Sequence, residues 1–462
     1  MKRQLQKSKD RLPLKTKLGY GVGAIGLDMS YGLVTSFFMN YATDVLLISS
    51  VFMGVMMAFA RVWDGINDPL MGVIVTNTKS KYGRFRPWIL AGAVLNAVVL
   101  FAMFTNPGFT IVKGGTETGL YIYIAVAYIL WGTSYTLIDL PYWSFIPALT
   151  SDPQERNVIA SIPRFFSGLG QLTVMGATPL ILKAFSDVEQ GTVFSRWALV
   201  MGVLFIIVAV ITVVSTKERI VPKQEKALKF REVISTIRAN DQLLVFFAVA
   251  VAFNLGWYLM NGLAMYFFKY VTENELHLTI FAAVSGAGQA IGLFGLSFLA
   301  KRMSKHKVVK LSILVTIAGY LAMFFVSQTP DFSLVLFFAF HFVACLGIGC
   351  MFTAEASMLA DIVDYGEYKT GVRSDAVTFS VKSFQMQFAQ TIQALIIGFG
   401  LWLFRYEENV FPQPDLSKLG INVMMFLIPP ALALLSLIVF NRKYKIHSKL
   451  YEDICDAMQN RC

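Results

Sequence analysis

Two acidic residues interrupt the second long apolar stretch of the chain. Asp64 and Asp68 are four positions apart with Asn67 between them, so on a helix all three side chains share one face. Pro69 cannot donate to the carbonyl of Gly65, which leaves that oxygen without its usual partner. Such oxygen ligands suit a small cation, and without one the two carboxylates would tend to share a proton. The pattern indicates a cation site; the alternative is an acid pair saturated by helix N–H groups or by an arginine elsewhere.

A second polar cluster lies in the fourth apolar stretch. Asp139 and Trp143 are again one helical turn apart, so a carboxylate stands beside a flat aromatic ring. This pairing suits a sugar, whose hydroxyls need acceptors and whose C–H face stacks on a ring. Arg164 follows Pro163 in the next stretch, and we expect it to bridge Asp28 and Asp139. An interfacial tryptophan is the alternative reading of Trp143.

Charges inside apolar stretches are costly. Each costs about 2.5 to 3.5 kcal/mol at a helix centre, so each is a functional hypothesis that needs a partner. The first half of the chain holds four such acids against one deep arginine, and a cation can supply the balance. In the second half, Glu355 has three open interpretations: a substrate-facing acid, a gate residue or a hydrogen-bonded structural group.

The composition places these clusters in a membrane protein. Of 462 residues, 56% are hydrophobic and 15% charged, whereas soluble chains have about 45 to 50% and about 25%. A helical span needs roughly 20 residues. These values exclude cytosolic enzymes, disordered chains and transmembrane barrels, and predict an all-α membrane protein with twelve transmembrane helices. The predicted spans are 18–42, 47–76, 87–106, 119–147, 157–184, 194–215, 242–270, 278–300, 309–328, 333–362, 376–404 and 420–440.

Basic residues alternate from one side of the membrane to the other. The formal charge of +11 is concentrated at the N-terminus, after spans 2, 6 and 8, and in the C-terminal tail. This is the positive-inside pattern, so we expect a multi-pass protein of the plasma (inner) membrane with both termini in the cytoplasm. The same alternation argues against a nucleic-acid surface. No cleavable signal peptide is expected, because the first apolar stretch is too long for one.

The longest polar stretch divides the spans into six plus six. The predicted domains are a cytoplasmic segment 1–17, a six-helix bundle 18–215, a cytoplasmic linker 216–241, a second six-helix bundle 242–440 and a cytoplasmic tail 441–462. Two parallel six-helix repeats are the plan of the major facilitator fold. No motif pairs a nucleophile with a base or groups metal ligands, so an intramembrane enzyme is not expected.

Several longer motifs support a family resemblance. The motifs are Leu18–Gly21, Tyr41–Asp44, Asp64–Pro69, Gly83–Trp88, Asp139–Ser144, Pro163–Phe166 and Ala360–Glu367. In these motifs the chain resembles the glycoside-pentoside-hexuronide:cation symporter family, and most nearly its sodium-coupled, melibiose-transporting members. The resemblance implies that Asp64, Asn67, Asp68 and Thr136 bind the cation and that Asp28, Asp139, Trp143 and Arg164 bind the sugar.

Two candidate substrate positions depart from those members. Gln387 stands where they have a lysine, and Phe352 stands where they have a tryptophan. Lys382 is five positions before Gln387, on another helical face, so it is a poor substitute. The acids Asp64 and Asp68 are then expected to lack a nearby cationic group. Two such carboxylates could share a proton at neutral pH, which is the argument for a proton as the coupling ion.

The sequence therefore predicts a symporter that couples uptake of a sugar or glycoside to a cation by alternating access. Sodium is predicted in preference to a proton, lithium stays open, and no cofactor beyond the coupling ion is expected. We expect the protein to work in the lipid bilayer as a monomer. The alternative is a sodium-coupled lysolipid transporter of the same fold, which would need an apolar trench in place of Trp143 and its polar partners.

Overall fold

The computed structural model describes residues 12–111, 117–150, 153–219, 238–299, 303–329, 333–371, 375–408, 410–446, 450 and 454. Within these ranges the chain is helical and contains no β-strand. The expectations for residues 1–11, for 220–237 of the linker and for most of the tail after 446 lie outside the described residues.

The chain forms two compact units. The first unit is Met1–Glu225 with Glu407–Phe411. Its first helix continues through π-helical turns at Val34–Phe38 and Tyr41–Val45, and a one-turn helix, Ile146–Leu149, follows its fourth. The long helices are α1 (Leu14–Leu33), α2 (Ser50–Asn77), α3 (Arg86–Met103), α4 (Thr118–Ser144), α5 (Pro153–Ala184) and α6 (Gln190–Ser215).

The second unit is Lys226–Tyr406 with Pro412–Cys462. A π-helical turn at Phe267–Val271 extends its first helix, and another at Val423–Leu427 lies inside its last. The long helices are α7 (Asp241–Tyr266), α8 (His277–Leu299), α9 (Lys305–Ser327), α10 (Leu334–Thr370), α11 (Asp375–Leu403) and α12 (Asp415–Lys443).

Ten helices, α3 to α12, contain described stretches that are long and apolar enough to cross a membrane. The chain is thus a multi-pass membrane protein. The two remaining long helices are α1 and α2, and α2 carries the charged side chains Arg61, Asp64 and Asp68. The count of twelve spans therefore stays a prediction at α1 and α2.

Polar contacts between α1, α3 and α4 hold the candidate site in the first unit. Tyr20 donates to the carbonyl of Tyr142 and Tyr142 donates to the carbonyl of Tyr20, each at 2.6 Å, with the two rings stacked at 4.6 Å. Asn96 of α3 donates to Ser134 at 2.9 Å and accepts from Ser30 at 2.7 Å. Buried hydrogen bonds in an apolar interior cost free energy to break, so these contacts fix α4 against its neighbours.

Helix α10 is longer than the sequence predicted. The apolar run ends at 362, but the helix continues to Thr370 and stops at Gly371, whose φ is 74°. A left-handed residue at this position is a common helix terminator and suits glycine. Asp361 and Asp364 therefore lie inside the helix, and Lys305 of α9 pairs with Asp361 at 2.9 Å.

Candidate functional site

The acids of α2 lie in a cluster of hydrogen bonds within the first unit. Arg61 donates to Asp64 at 3.2 Å, one turn away on the same helix. The Thr136 hydroxyl of α4 lies 2.8 Å from a carboxylate oxygen of Asp68 and 3.2 Å from the carbonyl of Gly132. We call Arg61, Asp64, Asn67, Asp68 and Thr136 the cation cluster. Asp64 and Asp68 are close enough for their carboxylates to interact, and Asn67 is the residue before Asp68 on α2.

Asn67 is the member of the cation cluster whose side-chain NH₂ group has no acceptor among the described residues. Its Nδ2 atom is buried and has no hydrogen-bond partner in the described part of the chain. A buried N–H group without an acceptor is costly, and only an acceptor could relieve that cost. Its amide oxygen is the atom that a cation would use.

The expectation that Asp64 and Asp68 lack a nearby cationic group is wrong. Arg61 supplies one, and two carboxylates with one guanidinium leave a formal charge of −1. The spacing of Arg61 and Asp64, three positions on one helix, was visible in the sequence and is a known pairing distance. The described residues contain no group of three or more His, Cys, Asp or Glu that could hold a metal ion. A cation here would therefore depend on the amide and hydroxyl as well as on carboxylates.

Gly132 of α4 makes room for the Asp64 carboxylate. A Cβ atom at this position would lie 2.9 Å from Asp64 Oδ1, closer than such contacts normally are. We expect Gly132→Ala to displace Asp64 and weaken sodium binding by about fivefold, which corresponds to about 1 kcal/mol. Alanine favours a helix more than glycine does, so a weaker fold would not explain the loss.

Titration of sodium into the purified variants measures this effect. Gly72→Ala is the matched control, because a Cβ at Gly72 of α2 would meet no atom within 4 Å. Unchanged sodium affinity in Gly132→Ala would show that Asp64 does not contribute to cation binding.

The predicted sugar residues lie on α1, α4 and α5 of the same unit. Trp143 Nε1 donates to Asp139 Oδ1 at 2.9 Å, so the one-turn spacing produces the expected contact. The Asp28 carboxylate lies near the Ser167 side chain on α5 and close enough to Asp139 for the two carboxylates to interact. The arrangement offers two acceptors beside one indole ring. Trp143 is half-buried, so part of its ring is accessible.

The predicted bridge from Arg164 to Asp28 and Asp139 is absent from this structure. The Arg164 side chain is exposed and has no hydrogen bond or ion pair with a residue that the structure describes. Ser167, one turn later on α5, is the residue of that helix whose side chain lies near Asp28. No residue that the structure describes engages the Arg164 guanidinium, which carries five N–H donors.

The candidate positions of the second unit lie on α10 and α11. Phe352 packs edge to face against Trp257 of α7, with ring centroids 5.4 Å apart. Trp257 Nε1 is buried without a hydrogen-bond partner among the described residues. Gln387 is half-buried on α11, and its backbone carbonyl accepts a hydrogen bond from the Thr391 hydroxyl. Trp257 was not foreseen from the sequence, and it places an indole beside the position where the resemblance had implied a tryptophan.

Comparisons with known proteins show what the chain is similar to. Residues 19–448 match a family model described as MFS/sugar transport protein. YagG of Escherichia coli, a proposed glycoside/cation symporter, is 28% identical over 91% of this chain and 90% of its own. The isoprimeverose transporter of Lactiplantibacillus pentosus is 28% identical over 87% of this chain and 82% of its own. A crystal structure of a D-xylose-proton symporter superposes with a TM-score of 0.64 at 14% identity, covering 94% of this chain and 98% of that one.

Proposed function

Because the chain belongs to the MFS/sugar transport protein family, we propose that it couples uptake of a sugar or glycoside to a sodium ion by alternating access. Membership confirms the predicted major facilitator fold class and makes the protein a transporter rather than an enzyme. The names of YagG and of the isoprimeverose transporter support a glycoside as the transported molecule.

The protein's setting in the membrane is part of the proposal. Both termini lie in the cytoplasm, as the alternation of basic loops indicates. The protein works as a monomer in the plasma (inner) membrane. The six-helix bundles 18–215 and 242–440 act as the two moving bodies, with 1–17, 216–241 and 441–462 on the cytoplasmic side.

One hydrogen bond carries the coupling argument. Thr136 of α4 contacts Asp68 of α2 at 2.8 Å, and Asp139 follows Thr136 by three positions on the same helix. Asp139 in turn orients Trp143 at 2.9 Å. A change in the cation cluster is therefore transmitted to the sugar ligands along two turns of one helix. By linkage, sugar then affects cation affinity by the same factor.

Sodium binding requires only a change of hydrogen-bond partner at Thr136. Its hydroxyl now lies within reach of two acceptors, Asp68 and the Gly132 carbonyl at 3.2 Å. Donation to Gly132 alone would turn an oxygen lone pair toward an ion held by Asp68 and the Asn67 amide oxygen. One monovalent cation then cancels the formal charge of −1 of the cluster, whereas a divalent ion would reverse it. This balance supports a monovalent coupling ion.

The sugar is held by Asp28, Asp139 and Trp143 in the first unit. The two carboxylates accept from substrate hydroxyls, the indole presents an apolar face, and exposed Arg164 donates. Phe352 and Gln387 remain the candidate substrate positions of the second unit, with Trp257 packed against Phe352. The polar contact between Asp139 and Trp143 favours a sugar over a lysolipid, which would need an apolar trench at this position.

Uptake by purified protein in liposomes tests the proposal. We expect sodium stimulation of glycoside uptake to be at least about tenfold weaker in Thr136→Val than in the wild type. The substitution removes a hydroxyl that is hydrogen-bonded to a charged group, and such a bond contributes about 1.5 to 3 kcal/mol. Thr136→Ser keeps the hydroxyl and is the matched control. Concentration of isoprimeverose or another glycoside under a sodium gradient supports the proposal, whereas transport of lysolipid alone contradicts it.

A further inference from the structure

A buried acid and amide form a pair in the second unit that the proposed mechanism does not use. Glu355 of α10 is 4% exposed and Asn254 of α7 is 5% exposed. Asn254 Nδ2 lies 3.1 and 3.2 Å from the two carboxylate oxygens of Glu355, so one amide group donates to both. The pair joins two helices that are far apart in sequence.

The ionised form of this pair leaves a buried acceptor unused. Asn254 Oδ1 is buried and has no hydrogen-bond partner among the residues described. An ionised carboxylate only accepts, so it cannot satisfy this oxygen. A neutral acid carries one O–H, which can donate to Oδ1 after a rotation of the amide, while its other oxygen accepts from Nδ2. Protonation thus closes the pair with two hydrogen bonds and removes a buried charge.

None of the described side chains around Glu355 supplies a direct counter-charge. Lys382 of α11 is the charged group whose field reaches Glu355, yet it forms no ion pair within 4.0 Å with any residue that the structure describes. On α7, α8 and α9, which also pack against α10, the charged and histidine side chains lie in the first two turns. They are Asp241, His277, Lys305, His306, Lys307 and Lys310. Of these, Asp241 is paired with Lys369 and Lys445, and Lys305 is paired with Asp361.

We propose that Glu355 and Asn254 form a proton-binding site in the second unit. Glu355 takes one proton from water to become the neutral acid, and its hydroxyl donates to Asn254 Oδ1. Deprotonation returns that proton to water and restores the carboxylate. This site belongs to a different unit from Asp64 and Asp68 and is independent of which cation they bind. It gives the protein a titratable acid whose state depends on pH and not on sodium.

Infrared difference spectroscopy of the purified full chain tests this directly. The C=O stretch of protonated carboxylic acids is followed from about pH 5 to about pH 9, a range in which exposed Glu is mostly ionised. We expect a band that is present in the wild type, disappears as the pH rises and is missing from Glu355→Gln. Glu273→Gln is the matched control, because Glu273 of the same unit is half exposed and pairs with Lys418 at 3.1 Å; its band pattern should equal the wild type's.

A second variant tests the role of the amide. Asn254→Leu removes the partner, so the Glu355 band should move to higher wavenumber, as expected for an acid that has lost its hydrogen bonds. If wild type and Glu355→Gln give the same spectra throughout the pH range, Glu355 is ionised and the proposal is overturned. A band that Asn254→Leu leaves in place would also overturn it, because the proton would not be shared with Asn254. Neither readout requires transport, so the result is separable from failure of the proposed symport.

Discussion

Replacement of Asp68 by asparagine is expected to abolish sodium-driven accumulation of sugar while exchange of sugar across the membrane continues. The change leaves the cation cluster with one carboxylate and one guanidinium, so its formal charge becomes zero. It also removes the charged acceptor that lies 2.8 Å from Thr136. We expect sodium affinity to fall by about 100-fold, since a contact with a charged group contributes about 1.5 to 3 kcal/mol and each 1.4 kcal/mol is a factor of about ten.

Accumulation ratios in liposomes under an imposed sodium gradient measure this loss. Asp187→Asn is the matched control, because it makes the same chemical change at an exposed position of the same unit. Accumulation by Asp68→Asn to the wild-type ratio would remove Asp68 from the coupling mechanism.

Replacement of Asp139 by asparagine is expected to remove most sugar binding while sodium binding survives. The amide keeps the shape of the side chain and can still accept from Trp143 Nε1, now 2.9 Å from the carboxylate. It loses the negative charge that strengthens hydrogen bonds from substrate hydroxyls. We expect sugar affinity to fall by about 10- to 100-fold.

Calorimetry with sodium and with sugar on the same preparation separates the two effects. Trp143→Phe is a useful comparison, because it keeps a ring for stacking and removes only the donor to Asp139; its loss of sugar affinity should be smaller. If folded Asp139→Asn no longer binds sodium, the cation and sugar sites are not distinct. Wild-type sugar affinity would remove Asp139 from the sugar site.

The fold class and the helices could be predicted from sequence because they depend on local patterns. Runs of apolar residues located the helices within a few positions, since the hydrocarbon core sets their length. Helix α10 was the exception. Its last two turns are polar and end at the left-handed Gly371. They are stabilised by ion pairs such as that of Lys369 with Asp241 at 2.7 Å, which a search for apolar runs does not detect.

The candidate site was predictable where contacts join neighbours on one helix. The spacing of Asp139 and Trp143 gave the right contact, and the spacing of Arg61 and Asp64 would have given another had it been used. Contacts between residues on different helices could not be predicted from spacing along the chain. The family resemblance put Thr136 and Asp68 in one site, but their hydrogen bond was not predicted. The pairing of Glu355 with Asn254 was not foreseen either, because residues on different helices meet only after the bundle has packed.

The coupling of the two sites through α4 is tested most directly by the affinity for sugar as a function of sodium at fixed pH. Isoprimeverose is the first probe, followed by whichever glycoside liposomes accumulate best. We predict that sugar affinity rises with sodium until the cation site is saturated, and that Thr136→Val flattens this dependence while Thr136→Ser retains it. Sugar affinity that is the same from zero to saturating sodium, together with uptake that follows only a pH gradient, would contradict the sodium-coupled mechanism.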